Sequence, residues 1–245
     1  MSQDEVLSRG ELLIRLRERI GAVCVDHPVR VALDGPDAAG KTVLADELAA
    51  VMRAAGAGVI RASGDGFHRP RAERHVRGPD SPEGYYRDSF DHEALLESLL
   101  EPLGPGGSRV YRAACFDLVQ DRPSHPEPLR APDDAALLFD GVFLLRPELR
   151  DAWDLRVFVT ASFEVTLRRA LRRDVQVFGS AVEVERRYRT RYIPGQQLYF
   201  AEARPELVAD VVVINDDPAA PVLREPAQQR SLSVTRRGSS RPSRT

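Results

Sequence analysis

The sequence predicts an α/β protein, a doubly wound parallel sheet with helices on both faces and a small helical lid. Three observations carry that expectation. Short unbroken apolar runs such as Val29–Leu33 (VRVAL), Ala136–Phe139 (ALLF) and Val211–Ile214 (VVVI) are what strands covered on both sides look like, because a two-sided sheet leaves no face for polar alternation. Helical stretches separate several of these runs. A glycine-containing loop joins the first run to a helix, the kind of connection at which phosphates bind.

In chain order, the stretch from Glu5 to Ile20 sets Leu13, Leu16 and Ile20 at helical spacing with Arg and Glu between them, predicting an amphipathic helix. Val29–Leu33 then reads as a strand, and a helix is expected over Lys41–Ala54 with Leu44, Leu48, Val51 and Met52 on one face. Further strands are expected at 58–62, 136–139 with 142–145, 155–160 and 210–214. Two regions, 69–89 and 101–134, are rich in charge, Gly and Pro and read as long ordered loops over the sheet edge, which in a compact enzyme are usually functional. The expected organisation is one domain over residues 1–220, its lid over approximately 172–195, followed by an Arg, Ser and Pro rich tail over 221–245 that lacks periodicity and is expected to be disordered.

Composition narrows the class. At 245 residues and 42% hydrophobic content one substantial core is expected. The net charge of -2 advertises neither nucleic acid nor membrane binding, although the last 22 residues hold six arginines against Glu225 and leave the remainder acidic. Cys24 and Cys115 form no disulfide framework or metal-spacing pattern, and Cys24, in an apolar run, is expected to be buried. No apolar run approaches the roughly 20 residues of a membrane helix, and the N-terminus has no apolar signal core, so a cytoplasmic protein is expected. Oligomeric state is not readable, and a homo-oligomer stays open.

Gly35-Pro-Asp-Ala-Ala-Gly-Lys41-Thr42 satisfies GxxxxGK[ST] between an expected strand and an expected helix, the context that distinguishes a working phosphate loop from a chance match. Lys41 is the only lysine in the chain, and a slim ammonium fits inside such a loop where a planar guanidinium would not. Gly35, Asp37, Ala38, Ala39, Gly40, Lys41, Thr42 and Val43 are therefore the residues expected to hold ATP, Lys41 bridging the β- and γ-phosphates and Thr42 supplying a hydroxyl for Mg2+. A carboxylate in an anion cradle is awkward, so the Asp37 side chain is expected to point outward.

Asp65, in Asp65-Gly-Phe-His68, follows the second strand at the carboxyl edge of the sheet, where ligands bind in open α/β folds. It is the candidate general base, the alternative being an ordinary turn aspartate. His68 would line the acceptor pocket. Asp140, after the apolar run Ala136–Phe139, reads as an acid held near Mg2+ through water, or as a strand-end turn.

With these residues in place the sequence resembles the uridine kinase family of P-loop kinases, with relatives among pantothenate kinases and phosphoribulokinases. Over about residues 28–216, Asp65 to His68 (DGFH) stands at a DSFY-like segment, Phe90-Asp91-His92 after Tyr85-Tyr86 at an FDHP-like one, Phe116-Asp117 in a YDF-like one and Asp140-Gly141-Val142 at an EGI-like one. The resemblance implies phosphoryl transfer from ATP to the 5′-hydroxyl of a nucleoside, uridine or cytidine, with Asp65 as base, Asp91 on the ribose hydroxyls, and Tyr86 and Phe116 in the acceptor site. Read by itself, Asp91 equally caps the helix carrying Leu95, Leu96 and Leu99. His92 is expected to pack or cap locally.

Phe163, Leu167, Ala170 and Leu171 form one helix face, placing Arg168, Arg169, Arg172 and Arg173 largely on the other. This resembles the arginine-bearing helix that feeds the kinase lid, with Arg173 as the matching catalytic position. Two departures are visible. Val177-Phe178-Gly179-Ser180 stands where uridine kinases carry two lid arginines, so Arg186, Arg187, Arg189 or Arg191 would substitute, and no histidine follows Phe116-Asp117. Other acceptors, pantothenate or a sugar, therefore stay open, as does an inactive nucleotide-binding regulator. In each case the partner is a small molecule.

Overall fold

The computed structural model describes residues 4–225. β1 (Asp4–Val6) and α1 (Arg9–Gly21) precede a β2 (Val29–Asp34), α2 (Lys41–Ala54), β3 (Val59–Ser63) unit. Then come α3 (Arg71–Arg74), α4 (Pro82–Asp88) and α5 (His92–Leu95), the last extended by a π-helical turn over Leu96–Leu100. Two small hairpins follow, β4 (Val110–Tyr111) with β7 (Leu129–Arg130) and, nested between them, β5 (Phe116–Asp117) with β6 (Arg122–Pro123). The chain returns to the centre through β8 (Ala136–Gly141) and β9 (Leu155–Thr160). α6 (Phe163–Arg173), α7 (Val175–Phe178), α8 (Ala181–Arg187), a π-helical turn (Tyr188–Tyr192), α9 (Ile193–Ala203) and α10 (Pro205–Val208) lead to β10 (Val211–Ile214) and β11 (Val222–Arg224).

The main sheet has seven strands in the order β1-β11-β10-β9-β2-β8-β3. β3, β8, β2, β9 and β10 are parallel, and β11 and β1 add an antiparallel edge. Because side chains alternate along a strand, β2 feeds two cores. Val31 and Leu33 pack with Leu12, Leu16 and Ile20 of α1 and Leu44, Leu48 and Met52 of α2, whereas Ala32 faces Tyr85, Tyr86, Leu99 and Tyr199 on the other side. Both faces are thus covered, which is why the central strands carry no polar alternation. A third, smaller cluster joins α6, α8 and the turn after it through Ala170, Val184 and Tyr188, and it closes on Ala38 of the phosphate loop.

Several expectations need correction. The first helix begins at Arg9 and not at Glu5, because Ser8 and Glu11 form a reciprocal capping box and Asp4–Val6 pairs with β11 instead. Residues 142–145 are not strand. After Gly141 the chain turns through Phe143 at φ 66°, and Leu144 N–H donates to the Asp34 carboxylate at 3.1 Å. Loop 69–89 contains α3 and α4. Cys24 is exposed, since α1 has ended by Gly21 and its segment leaves the core. The expected tail, 221–245, takes in all of β11, whose Arg224 donates twice to Asp4, at 2.7 and 2.8 Å. The rest of that expected tail, 226–245, lies outside the described residues.

Candidate active site

β2 delivers the chain to the phosphate loop and α2 takes it away, so the loop sits at the carboxyl edge of the central strand. Gly35 has φ 150° and passes so close to β9 that a Cβ there would lie 1.9 Å from the Val159 carbonyl oxygen, so both backbones admit only glycine. Gly40 has φ 97°, and its missing Cβ leaves room for Asn215 Nδ2. Asn215 Nδ2 donates to Ala39 O at 2.7 Å and Arg169 donates to Ala38 O and Ala39 O at 3.3 Å. Anchoring the Ala39 carbonyl this way turns the Gly40 N–H to the opposite side of the same trans peptide.

Lys41 is 8% exposed and its Nζ donates to Pro36 O at 2.7 Å. Burial pulls its pKa down, while Asp37, Asp34 and Asp140 push it back up. Asp37 does not point outward as expected. Its carboxylate accepts from Tyr85 Oη at 2.5 Å and Gln196 Nε2 at 2.7 Å, so α4 and α9 hold it beside the loop, where it offsets the buried ammonium. Asp34, fully buried at the end of β2, accepts from Tyr199 Oη and from Leu144 N–H. Burial raises its pKa against those hydrogen bonds.

Thr42 and Asp140 come together as expected. Thr42 Oγ1 donates to Asp140 Oδ2 at 2.5 Å, and the other carboxylate oxygen receives Arg61 Nη2 at 2.9 Å. A hydroxyl and a carboxylate at the cleft floor, hard oxygen donors supplemented by water, are a donor set that fits Mg2+. Among the described residues no cluster of three or more His, Cys, Asp or Glu could hold a metal by itself.

Asp65, Lys41, Thr42, Asp140, His68 and Arg173 line one cleft of about 700 Å3, a size suited to a small-molecule ligand. The Asp65 side chain is 80% exposed on its wall, with Oδ1 3.7 Å from His68 Nε2. His68 Nδ1 lies 3.0 Å from Ser89 O, a contact in which only the ring nitrogen can donate. The interaction with His68, aided by Lys41 and Arg173, outweighs desolvation and lowers the Asp65 pKa, so the carboxylate is ionised near neutrality.

No protein-family model matches the chain. Among curated proteins it is similar to uridine-cytidine kinase A of Dictyostelium discoideum, 26% identical over 192 residues that cover 76% of this chain. It is also similar to the uridine kinase of Chlamydia pneumoniae, 24% identical over 185 residues, 75% of this chain and 80% of that one. The chain spans 36% of the length of uridine-cytidine kinase A and 63% of uridine-cytidine kinase B from the same organism. Its fold matches a possible uridine kinase from Bacillus stearothermophilus with a TM-score of 0.64 at 23% identity, covering 83% of this chain and 97% of that one. Phosphoribulokinase from Rhodobacter spheroides matches with a TM-score of 0.56 at 14% identity, 84% and 82% of the two chains. The fold is that of the P-loop kinases. The resemblance to uridine kinases read from the motifs is thus found by comparison over about three quarters of the chain as well.

Within this P-loop kinase fold, three residues expected at the acceptor are placed elsewhere. Tyr86 is 1% exposed in the core, its ring flanked by the guanidinium groups of Arg87 and Arg146, because adjacent tyrosines on a helix point apart and it is Tyr85 that faces the cleft. Phe116 is buried in the β5–β6 hairpin. Asp91 caps α5, accepting from Ala94 N–H at 3.0 Å, and lines a separate small crevice with His92, behind Gly64 and Phe90. Val43 is 57% exposed on α2.

Of the candidate lid arginines, Arg187 and Arg191 line the cleft. Arg186 is bound to Glu183 and Asp80, and Arg189 to Glu185. Arg173 lines the cleft, clamped to Asp174 at 2.6 and 3.1 Å. Arg169, expected on the outer face of its helix, turns inward to the loop carbonyls, where a long guanidinium reaches several acceptors at once. Sequence reasoning missed Asp34, Tyr85, Gln196, Arg61, Arg71 and Arg74. Only Asp34 had a local signal, a carboxylate ending an apolar strand directly before the loop; the others meet the site through chain reversals that no periodicity encodes.

Proposed function

We propose that the protein is an ATP-dependent kinase that transfers the γ-phosphoryl group to a hydroxyl of a small acceptor. The observation that carries this is the convergence of Lys41, Thr42, Asp140 and Asp65 on one cleft at the carboxyl edge of the sheet. Thr42 and Asp140 would hold Mg2+, whose charge would offset that of the β- and γ-phosphates. The loop and Lys41 would bind the triphosphate, with Asp37 and Asp34 keeping the buried ammonium charged. Asp65 would orient the acceptor hydroxyl and take its proton as the oxygen forms its bond to phosphorus and the bridging bond to ADP breaks. Arg173, Arg187 and Arg191 would close over the transferred charge and exclude water.

A nucleoside, uridine or cytidine, is the acceptor that the curated relatives' names suggest. A second reading, another small alcohol such as pantothenate or a sugar, is favoured by the position of Asp91, the candidate for a ribose diol, which caps α5 and faces a different crevice from Lys41. Acceptor profiling with labelled ATP tests both. Lys41→Ala should abolish turnover, and Asp65→Asn should slow it at least ~100-fold while leaving ATP affinity intact. Normal turnover by Asp65→Asn would refute the assignment of the base.

A further inference from the structure

The cleft has a second charged region, on α3, to which the phosphoryl-transfer roles above give no part. α3 follows the Asp65–His68 segment and points Arg71, Arg74 and its cap residue His75 into the same cleft. Asp121, reaching over from the β5–β6 turn, organises α3. It accepts from Arg71 N–H at 3.0 Å and from Arg74 Nη2 at 2.7 Å. One carboxylate thus meets one backbone N–H and one guanidinium. The Arg71 guanidinium has no carboxylate partner among the described residues, and Arg74 Nε is buried with no hydrogen-bond acceptor. Opposite them Arg191, 5% exposed, donates only to Pro79 O and lies 5.7 Å from the Tyr85 ring centroid, again without a carboxylate. The density of positive charge registers on His75, whose pKa is lowered first by burial and then by Arg191, Arg71, Arg74 and Arg187.

A cleft-lining guanidinium without a carboxylate is a forked donor, and an oxyanion with several lone pairs is the group that satisfies it. A neutral nucleoside would leave these donors unmatched, and sites with unpaired polar groups discriminate strongly against ligands that cannot fill them. We propose that the acceptor is an anionic alcohol, its hydroxyl presented to Asp65 and its oxyanion, a phosphate monoester or a carboxylate, held by Arg71 and Arg74. This rests on the kinase reading above and narrows its substrate class.

The test measures kcat and KM with Mg-ATP for uridine, ribose 5-phosphate, D-glycerate and pantothenate, in wild type and in Arg71→Ala, an exposed position whose loss should not impair folding. At least one anionic acceptor should exceed uridine in kcat/KM, and the phosphate and carboxylate arms distinguish the two sources of the oxyanion. Arg71→Ala should raise KM for that acceptor about 10- to 100-fold, the range of a lost charged hydrogen bond, with kcat and Mg-ATP affinity nearly unchanged. As a readout independent of turnover, inorganic phosphate should raise the melting temperature of the Mg-ADP complex of wild type but not of the Arg71→Ala, Arg74→Gln double variant. Calorimetry of Mg-ATP binding separates the failures. Tight Mg-ATP binding with uridine preferred over every anionic acceptor, or with KM insensitive to Arg71→Ala, overturns the anionic acceptor alone. Absence of Mg-ATP binding overturns the kinase reading and this inference with it.

Discussion

Tyr199→Phe removes one oxygen from the base of the phosphate loop and should be among the costlier conservative changes in the molecule. That oxygen donates to the fully buried Asp34 carboxylate and accepts from Leu145 N–H at 3.1 Å. Phenylalanine keeps the ring against Tyr86 and Phe143, so packing is nearly unchanged and the loss is polar. It leaves a buried carboxylate short of one donor and a buried amide without an acceptor. At about 1–3 kcal/mol for each group left unsatisfied, the sum is about 2–6 kcal/mol. For a chain of this size that lowers Tm by roughly 5–20 °C. Urea denaturation followed by circular dichroism should show a lower midpoint with an unchanged slope. The pH dependence supplies a second check. Burial raises the folded pKa of Asp34 while Tyr199 opposes the rise, and a carboxylate with a raised folded pKa contributes stability at low pH that is lost as pH climbs through that pKa. Removing Tyr199 raises the pKa further, so the variant's deficit should grow as pH rises above the ordinary carboxylate range. A deficit below ~1 kcal/mol at pH 7, or one that does not grow with pH, would refute the account of a donor holding a buried charge in place.

Two further outcomes are expected. His92, at the start of α5, has its pKa pushed down to about 4, first by burial and then by Arg146 and Arg69, with Glu148 and Asp91 opposing. The unfolded chain therefore binds a proton that the folded one excludes, so stability is lost as pH falls from about 6.5 toward 4, by on the order of 3 kcal/mol; His92→Gln should flatten that part of the profile, and NMR titration of the imidazole should place its midpoint near 4. Ending the chain after Glu225 should leave turnover intact, whereas ending it after Leu223 deletes the Arg224 contacts to Asp4 and Glu206 and should lower Tm; equal stability of the two truncations would remove Arg224 from the edge of the sheet.

Much of the parallel core was legible because its determinants are local. Val29–Asp34, Leu155–Thr160 and Val211–Ile214 are apolar runs that can be satisfied only by burial on both faces, and they form the strands expected of them. The helix over Lys41–Ala54 was readable from Leu44 and Leu48, one helical turn apart. Its phosphate loop was readable because glycine and a lone lysine are demanded by backbone conformation and charge at fixed offsets. The edges were less legible. Asp4–Val6 looks like the first turn of a helix until β11, 216 residues later, offers it a pairing partner.

By itself, then, the amino-acid sequence determined the sheet's central strands, the anion cradle and the acid that follows the second strand, all matters of short-range pattern. Tertiary structure decided which of two adjacent tyrosines faces the cleft, that Asp37 is held inward by Tyr85 and Gln196, that Asp91 caps a helix beside a separate crevice, and that Arg71, Arg74 and Arg191 gather with one carboxylate between them. Those assignments depend on where loops 69–89 and 101–134 fold back over the sheet. Charge compensation is set by distances in space, and side chains separated by fifty to more than a hundred residues acquire those distances only once the chain has packed.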